Sequence, residues 1–571
     1  MLTAVTAAAV AASTLLAAPA AQAAPTASTT LVVNADQPFR PVTHVAAGSL
    51  YGLADDSTPA DSVSTALHAN TYVQMAPGGR QLPNGEPRPA GDALTVARKA
   101  AAGGSKVIVR MPDWYPNFPY KWVSWSDWLS AVDTQIASVK ASGATDISGY
   151  ELWNEPDWTW NASAAGDFDN GWVRTYGEVR ARTTTPVVGP SFSHWDVDLM
   201  RPWLTYARDH HAVPEVISWH ELGGDANIAA DVAAYRSLES SLGISARPIS
   251  IEEYGTPSEV GVPGSMVGYV AKFERAGVSN AEMAFWNHYG TLGDTLTDTG
   301  GAPNGAYWLY KWYGDMTGNM VTTVPPNQTG IDGAADVSSD GAQVGVVFGG
   351  AAGSSAVKVN GLNALPAFGG TVHVKLEYTA NTGRLSASAG PLTISEADYP
   401  VTGGSITVPV TTNGTDGYHL VVTPTGTSAT LAGTYRLTNV HSGLALDTQN
   451  AGTASGTLVV QATSGGGTGQ SWQLVAAGSG LYKVRNVRSG LLLGVTNAST
   501  DQGQSALIWG DNGTPDHLWQ LIPTAAGTYK FANYNSGLLL GVTNMSTSSG
   551  AQVLQWGDNG TADHLWRLTA S

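Results

Sequence analysis

The chain has no cysteine, and only 28 of its 571 residues are Lys or Arg. Without cysteine there is neither a disulfide framework nor a thiol nucleophile, so the fold must rest on packed cores, which a chain of this length can supply. The shortage of basic residues leaves a net charge of −17. That argues against a nucleic-acid or anionic-lipid partner, since neither gains from counterion release at such a surface. No His-Glu-x-x-His occurs, Asp209-His210-His211 has no partner at ligand spacing, and the Gly-rich stretches read as turns rather than a phosphate cradle. No metal and no cofactor are therefore expected.

Long apolar runs are scarce too. One of them, Val5 to Leu16, precedes the first charged residue, Asp36, and is followed by the small-residue site Ala21-Gln22-Ala23. It reads as a signal peptide over residues 1–23, although no Lys or Arg stands ahead of it, and it implies a secreted, extracellular protein free of membrane after cleavage. Aromatic residues, by contrast, are plentiful: 19 Trp and 21 Tyr. Flat rings stack on the apolar faces of sugars while polar edges hold the hydroxyls, so a neutral polysaccharide or oligosaccharide is the expected partner, bound by a monomer.

From about residue 44 to 316, short apolar runs alternate with amphipathic stretches. Eight runs can be counted: Val45 to Leu53, Ala69 to Met75, Val107 to Trp114, Ile147 to Trp153, Pro186 to Ser191, Val216 to His220, Pro248 to Tyr254 and Met283 to His288. Between them Trp128, Leu129, Val132, Ile136 and Val139, and then Ile228, Val232, Tyr235 and Leu238, keep helical spacing. This is the pattern of a (β/α)8 TIM barrel. Residues 317–422 switch to period-two alternation, as in Val372, Val374, Leu376 and Tyr378, and predict a β-sandwich, with Thr30 to Val42 a candidate further strand. A linker over 423–432 leads to residues 433–571. There Ser442-Gly443, Ser489-Gly490 and Ser536-Gly537 recur every 47 residues, as do Trp472, Trp519 and Trp566. Three copies imply threefold pseudo-symmetry, with the repeated Trp residues in its core.

Two Glu residues at strand ends carry the chemistry: Glu155 in Trp153-Asn154-Glu155-Pro156 and Glu253 in Glu252-Glu253-Tyr254-Gly255. Cleaving a glycosidic bond needs one group to protonate the departing oxygen and another to meet the oxocarbenium-like carbon. Three strand-helix units fill the gap between the two, which puts them on strands four and seven, opening at the C-terminal face of the barrel. Glu252 competes with Glu253, since alternate strand residues face opposite ways and only one of the two is expected at the barrel axis.

Asn154-Glu155-Pro156 after an apolar strand resembles the acid/base signature of glycoside hydrolase clan A, and Glu253-Tyr254-Gly255 resembles its strand-seven nucleophile. The resemblance implies a retaining hydrolase with Glu155 as an acid of raised pKa, Glu253 as the ionised nucleophile and Asn154 bonded to the sugar 2-hydroxyl. It also implies that His220 on strand six holds the nucleophile and that Trp286 floors the subsite. The strand-two Arg usual in the clan is absent; Gln74 and Met75 stand there, and Arg110 on strand three is the candidate substitute. Trp114, Tyr115, Phe118, Tyr120, Trp122, Trp125, Trp158 and Trp160 offer walls for a sugar cleft, with about half of them expected to anchor helices instead. Barrel plus sandwich most resembles family 39 of that clan. A non-catalytic lectin, favoured by the missing Arg, and a transglycosylase are the alternatives.

The 47-residue repeat resembles the ricin-type β-trefoil, carbohydrate-binding module family 13, whose pockets use an Asp early in each repeat, an aromatic platform, and a later Asn or Gln. Repeat one keeps Asp447 and Gln470 but has Gln461-Ala462 in place of the platform; repeats two and three have Gly494 and Gly541 in place of the Asp. They keep Trp509 with Asp511 and Asn512, and Trp556 with Asp558 and Asn559. The resemblance assigns sugar binding to those residues.

Overall fold

The computed structural model describes residues 29–571 apart from 83–85, 87–89, 285, 287–289, 293–294, 426–432, 479–480, 525–527 and 571. The expected export segment and most of the expected linker lie outside these residues. The chain divides into two compact units, Met1–Pro424 and Thr425–Ser571.

Strand β1 (Thr30–Pro41) precedes a closed parallel barrel of β2 (Gly48–Leu50), β3 (Thr71–Met75), β4 (Lys106–Arg110), β5 (Ile147–Glu151), β6 (Val187–Phe192), β7 (Val216–Trp219), β8 (Ile249–Tyr254) and β9 (Asn280–Met283). All eight predicted runs contribute a strand, but the last strand lies earlier than the sequence pattern suggests, so Trp286 follows the barrel wall rather than ending it. The helix Trp125–Ser142 shows why these segments fold as they do. Ser124 caps it through Asp127 N, Gly143 ends it at φ 71°, and Trp128, Val132, Ile136 and Val139 bury one face.

The second half of this unit holds β10 (Asn319–Val324), β11 (Asp332–Val337), β12 (Val344–Gly349), β13 (Ala352–Asn360), β14 (Thr371–Thr379), β15 (Leu392–Pro400), β16 (Ile406–Asn413) and β17 (Gly417–Pro424). With β1 they form one hydrogen-bonded path in the order β15-β14-β17-β12-β11-β10-β1-β13-β16. The path curls so that Val357, Val359, Ile406 and Val408 share a core with Val346, Phe348, Val372, Leu420 and Val422, which makes a sandwich. Strand β1 belongs to it, pairing antiparallel with β10 and parallel with β13. The sandwich is tied to the barrel by Arg275 from the helix Pro263–Ala276, whose guanidinium donates to both carboxylate oxygens of Asp332 at 2.7 Å.

The C-terminal unit is a twelve-stranded β-trefoil from Gly433–Asn439 to Trp566–Ala570. Trp472, Trp519 and Trp566 are fully buried in its core. Each indole Nε1 donates to a carbonyl 26 residues earlier: Leu446, Leu493 and Leu540, at 3.0, 3.0 and 2.9 Å. Burial of a large ring is thus combined with satisfaction of its one donor in all three repeats.

Candidate active site

The barrel mouth holds a cleft of about 230 Å³ lined by Tyr51, Gln81, Arg110, Phe118, Asn154, Glu155, Trp158, Leu222, Glu253 and Trp286, with Leu50. Seven of the residues expected at the site therefore meet there: Arg110, Phe118, Asn154, Glu155, Trp158, Glu253 and Trp286. Glu155 stands four residues beyond β5 in the left-handed region, at φ 51° and ψ 53°, a conformation a non-glycine residue holds only at a cost. Its backbone N–H donates to Ser191 O at 2.8 Å, its Oε2 accepts from Trp158 Nε1 at 2.9 Å, and its Oε1 lies 3.2 Å from His220 Nδ1.

Glu253 reaches the same cleft by a local irregularity of β8. Between the pairs Ile251↔Ala281 and Tyr254↔Met283, two residues of β8 oppose one of β9. This is a bulge, and bulges re-aim side chains beside active sites. It corrects the expectation that only one of Glu252 and Glu253 enters the barrel. Glu253 lines the cleft, while Glu252, fully buried below, accepts a hydrogen bond from Ser191 Oγ at 2.7 Å.

Arg110 joins these layers. Its Nη1 donates to Glu253 Oε1 and its Nε to Glu151 Oε2, both at 2.6 Å. The position of the missing strand-two Arg is held by Gln74, whose Nε2 donates to Leu53 O. A guanidinium from β4 thus supplies the positive charge that the clan takes from its neighbouring strand. Glu151, Glu252 and Glu282 fill the barrel below it. Burial pushes Glu151 and Glu282 well above the usual carboxylate range and Glu252 up to about 7, although Arg110 draws each of them down.

Glu155 departs from expectation. Burial raises its pKa, but the hydrogen bond and charge of His220, followed by Arg110 and Trp158, outweigh burial and leave it below the usual value. His220 is raised in turn: burial pushes it down, and Glu253 and Glu155 more than reverse this. Both shifts favour the charged pair, carboxylate with imidazolium, and the imidazole bridges the two acids, with Nε2 3.9 Å from Glu253 Oε1. One oxygen of Glu155, one of Glu253 and a nitrogen of His220 all lie within 4.8 Å of one another. That spacing would also suit a metal ion, but Arg110 directly on Glu253 opposes a dication there.

The aromatic residues divide into two groups. Phe118 and Trp158 meet edge to face at 5.4 Å on the cleft wall. Trp122 and Trp160 pack on the buried Trp153, Trp125 packs on Trp122, and Tyr115 stacks on the buried Trp128, so these four anchor the loops. Trp114, expected in the cleft, instead lies beside the Arg80 guanidinium, 5.8 Å from its ring centre, and lines no part of the cleft.

Sequence reasoning placed Tyr120 in a cleft wall but missed Tyr51 and Asp113, which hold it. Tyr51, on a left-handed residue after β2, donates to Asp113 Oδ2 at 2.7 Å, and Tyr120 donates to Asp113 Oδ1 at 3.0 Å. No local motif marks Tyr51 or Asp113, which come together from the segments that follow β2 and β4. Burial pushes Asp113 up to about 7. Below that pH the carboxyl gains a proton, one of its oxygens turns donor, and a tyrosine bond is lost. We expect kcat/KM to fall through this inflection on the acid side by roughly tenfold, about the worth of one hydrogen bond to a charged group. Asp113→Asn, which mimics the protonated carboxyl, should show the lower plateau at every pH.

Two further pockets, of about 220 and 240 Å³, lie in the trefoil. One is lined by Asn497, Trp509, Asn512, Asp516 and His517, the other by Asn544, Trp556, Asn559, Asp563 and His564. Both platforms are 43 % exposed. Asp511 and Asp558, expected in these pockets, point elsewhere: each accepts from a lysine, Lys483 at 2.6 Å and Lys530 at 2.5 Å. The pocket carboxylates are Asp516 and Asp563 instead. Asp447 bonds Gln470 within repeat one.

Residues 420–509, 470–556 and 515–571 match the family model for ricin-type beta-trefoil lectin domain-like repeats. The structure of N2152 from Neocallimastix frontalis is 34 % identical, with a TM-score of 0.64, over 69 % of this chain and 99 % of that one. The two proteins belong to one family. A 3-O-alpha-D-galactosyl-alpha-L-arabinofuranosidase of Bifidobacterium longum subsp. longum is 28 % identical over 453 residues, 66 % of this chain and 39 % of that protein. A 3-O-beta-L-arabinopyranosyl-alpha-L-arabinofuranosidase of Bifidobacterium pseudocatenulatum is 28 % identical over 458 residues, 66 % of this chain and 46 % of that protein. The chain spans less than half the length of these two. The barrel and sandwich are accordingly related to glycosidases, and the C-terminal unit is a ricin-type β-trefoil.

Proposed function

We propose that the chain is a secreted, retaining glycoside hydrolase that removes α-L-arabinofuranosyl units, bare or 3-O-substituted, from a plant-type polysaccharide. The observation that carries the mechanism is the approach of Glu155 and Glu253 to within 4.8 Å. An inverting enzyme needs carboxyls ~6.5–9.5 Å apart to seat a water between acid and sugar; a retaining pair stands ~5–5.5 Å apart, with no such room. Glu253, oriented by Arg110, attacks the anomeric carbon while the leaving oxygen takes its proton from Glu155. His220, bonded to Glu155 and close to Glu253, is placed to return that proton to Glu155 as substrate enters. Asn154 lines the cleft with a buried Oδ1 that has no partner among the described residues, which suits it to accept from a sugar hydroxyl. The sugar class is supported by the two arabinofuranosidase relatives, and export by the apolar leader sequence. The trefoil would hold the enzyme on its polymer by raising local concentration.

Arg110 on Glu253 weakens the lectin alternative, whose support was a missing cation. The decisive experiment follows 4-nitrophenyl α-L-arabinofuranoside and 3-O-galactosyl-arabinofuranosyl oligosaccharides by NMR from the first turnover. The α-anomer of arabinose should appear first and then mutarotate. Initial release of the β-anomer overturns the retaining mechanism, and no release from arabinosides alongside release from xylosides or glucosides overturns the sugar assignment.

A further inference from the structure

Three carboxyls lie inside the barrel beneath the catalytic pair, and the chemistry proposed above uses none of them. They are Glu151 at the end of β5, Glu252 on β8 and Glu282 on β9, each 0 % exposed. The cations that bear on them are Arg110 from β4 and His220 from the end of β7. With Glu155 and Glu253 included, five carboxyls therefore face two cations. Full ionisation would leave three negative charges unpaired in a closed barrel, and a buried carboxylate in that position takes up a proton instead. Glu282 does so alone: its oxygens stand 3.0 and 3.3 Å from Asn280 Nδ2, and no cation pairs with it among the described residues.

Glu151 and Glu252 are arranged as a pair. One oxygen of each lies within 4.8 Å of the other and of a nitrogen of His220. Each has one oxygen engaged and one open. Glu151 Oε2 accepts from Arg110 Nε at 2.6 Å and Glu252 Oε2 from Ser191 Oγ at 2.7 Å, while both Oε1 atoms are buried without a donor among the described residues. Bare acceptors at zero exposure call for a hydrogen. Glu252 is hydrogen-bonded to Glu151, and two carboxyls bond to each other only when one of them keeps its proton. A metal ion in the same place is opposed by the Arg110 guanidinium already on Glu151. One arm runs from the pair to each catalytic acid. Arg110 passes from Glu151 to Glu253, with its Nη1 at 2.6 Å. Ser191 passes from Glu252 to Glu155, whose backbone N–H it accepts at 2.8 Å, and its hydroxyl also meets Ser218 Oγ at 2.7 Å.

We propose that Glu151 and Glu252 are positioning residues that share a proton at neutral pH, held on Glu151, so that Arg110 meets a neutral carboxyl below and gives its charge to Glu253 above. Burial raises both acids against the pull of Arg110, and Glu252 is the lower of the two, at about 7, which leaves the proton on Glu151. A second proton, taken up on the acid side, falls on Glu252, which stands outside the two ion pairs of Arg110. An ionised Glu151 would instead compete with Glu253 for one guanidinium and raise the pKa of the nucleophile. The inference rests on Glu155 and Glu253 being the catalytic pair and deepens that reading by naming what keeps Glu253 charged.

The test combines infrared spectroscopy of the full chain with the pH dependence of kcat/KM on 4-nitrophenyl α-L-arabinofuranoside, whose acid limb reports ionisation of Glu253. At neutral pH the parent should show the carbonyl band of protonated carboxylic acids, shifted in D2O. Glu151→Gln offers an oxygen to Arg110 and a donor to Glu252; it should lose the pair's share of that band and keep the parent's acid limb. Glu252→Gln offers a donor to Glu151 and leaves the charge there, against Arg110. It too should lose the pair's band, and its acid limb should rise by about one pH unit. Glu151→Met, which supplies neither bond, should lower kcat/KM at least about tenfold, with Glu151→Gln recovering most of the loss. A full parental band in Glu151→Gln, or an acid limb that falls there, would mean that Glu151 is ionised in the parent and overturn the proposal. An unmoved limb in Glu252→Gln overturns the sharing. A parent that cleaves no glycoside removes the catalytic reading, and the band then still decides whether the pair holds a proton.

Discussion

Replacing Glu253 by Gln is expected to lower kcat by about four orders of magnitude, roughly 5.5 kcal/mol of barrier, with little change in fold. The amide keeps the shape of the side chain and retains an oxygen for Arg110 Nη1, but it cannot form the glycosyl-enzyme. Glu155→Gln should behave differently. With a 4-nitrophenyl leaving group, which departs without protonation, the first half-reaction proceeds and the covalent intermediate accumulates as a burst. The second half-reaction, lacking its general base, slows by about 10²–10⁴-fold. Azide, which attacks without base assistance, should restore turnover and yield the α-arabinosyl azide. Pre-steady-state absorbance and NMR of the azide product check both halves; unchanged rates in either variant would exclude the assigned pair.

The second large effect is expected at Arg110. It is 1 % exposed, and its guanidinium holds two carboxylates, Glu151 and Glu253, through separate nitrogens. Arg110→Met leaves these buried acids without their cation, a change that costs about 3–5 kcal/mol when one partner of a buried pair is removed. Arg110→Lys keeps the charge, but a point ammonium lacks the planar fork that grips both carboxylates at 2.6 Å. It should therefore recover most of the stability in urea unfolding while kcat/KM stays at least about tenfold low, because Glu253 is no longer held in line for attack. Equal recovery of stability and activity in Arg110→Lys would show that only charge matters. If Arg110→Met kept full activity, Arg110 would have no part in orienting the nucleophile.

Much was legible in one dimension because it depends on local periodicity. The eight apolar runs, the period-two alternation near Val372 and the 47-residue spacing of Trp472, Trp519 and Trp566 each follow from which face of an element must be buried. The two acids were readable for a related reason: a strand end fixes where a side chain emerges. Arg110 could be nominated, but no strand pattern could show that its nitrogens divide between Glu151 and Glu253.

What the linear chain left open were contacts closed over long separations. A bulge puts both Glu252 and Glu253 into the barrel, against the two-residue alternation from which they had been separated. His220 lowers the pKa of Glu155, a matter of 3.2 Å between residues 65 positions apart. Asp511 and Asp558, chosen for their neighbours in sequence, turn to lysines, while Asp516 and Asp563 take the pockets because Gly494 and Gly541 leave them space. By itself, then, the sequence determined the barrel, the sandwich, the trefoil and the two catalytic candidates. Tertiary structure alone decided which charges meet, because electrostatics and steric exclusion act through distances that the order of residues does not encode.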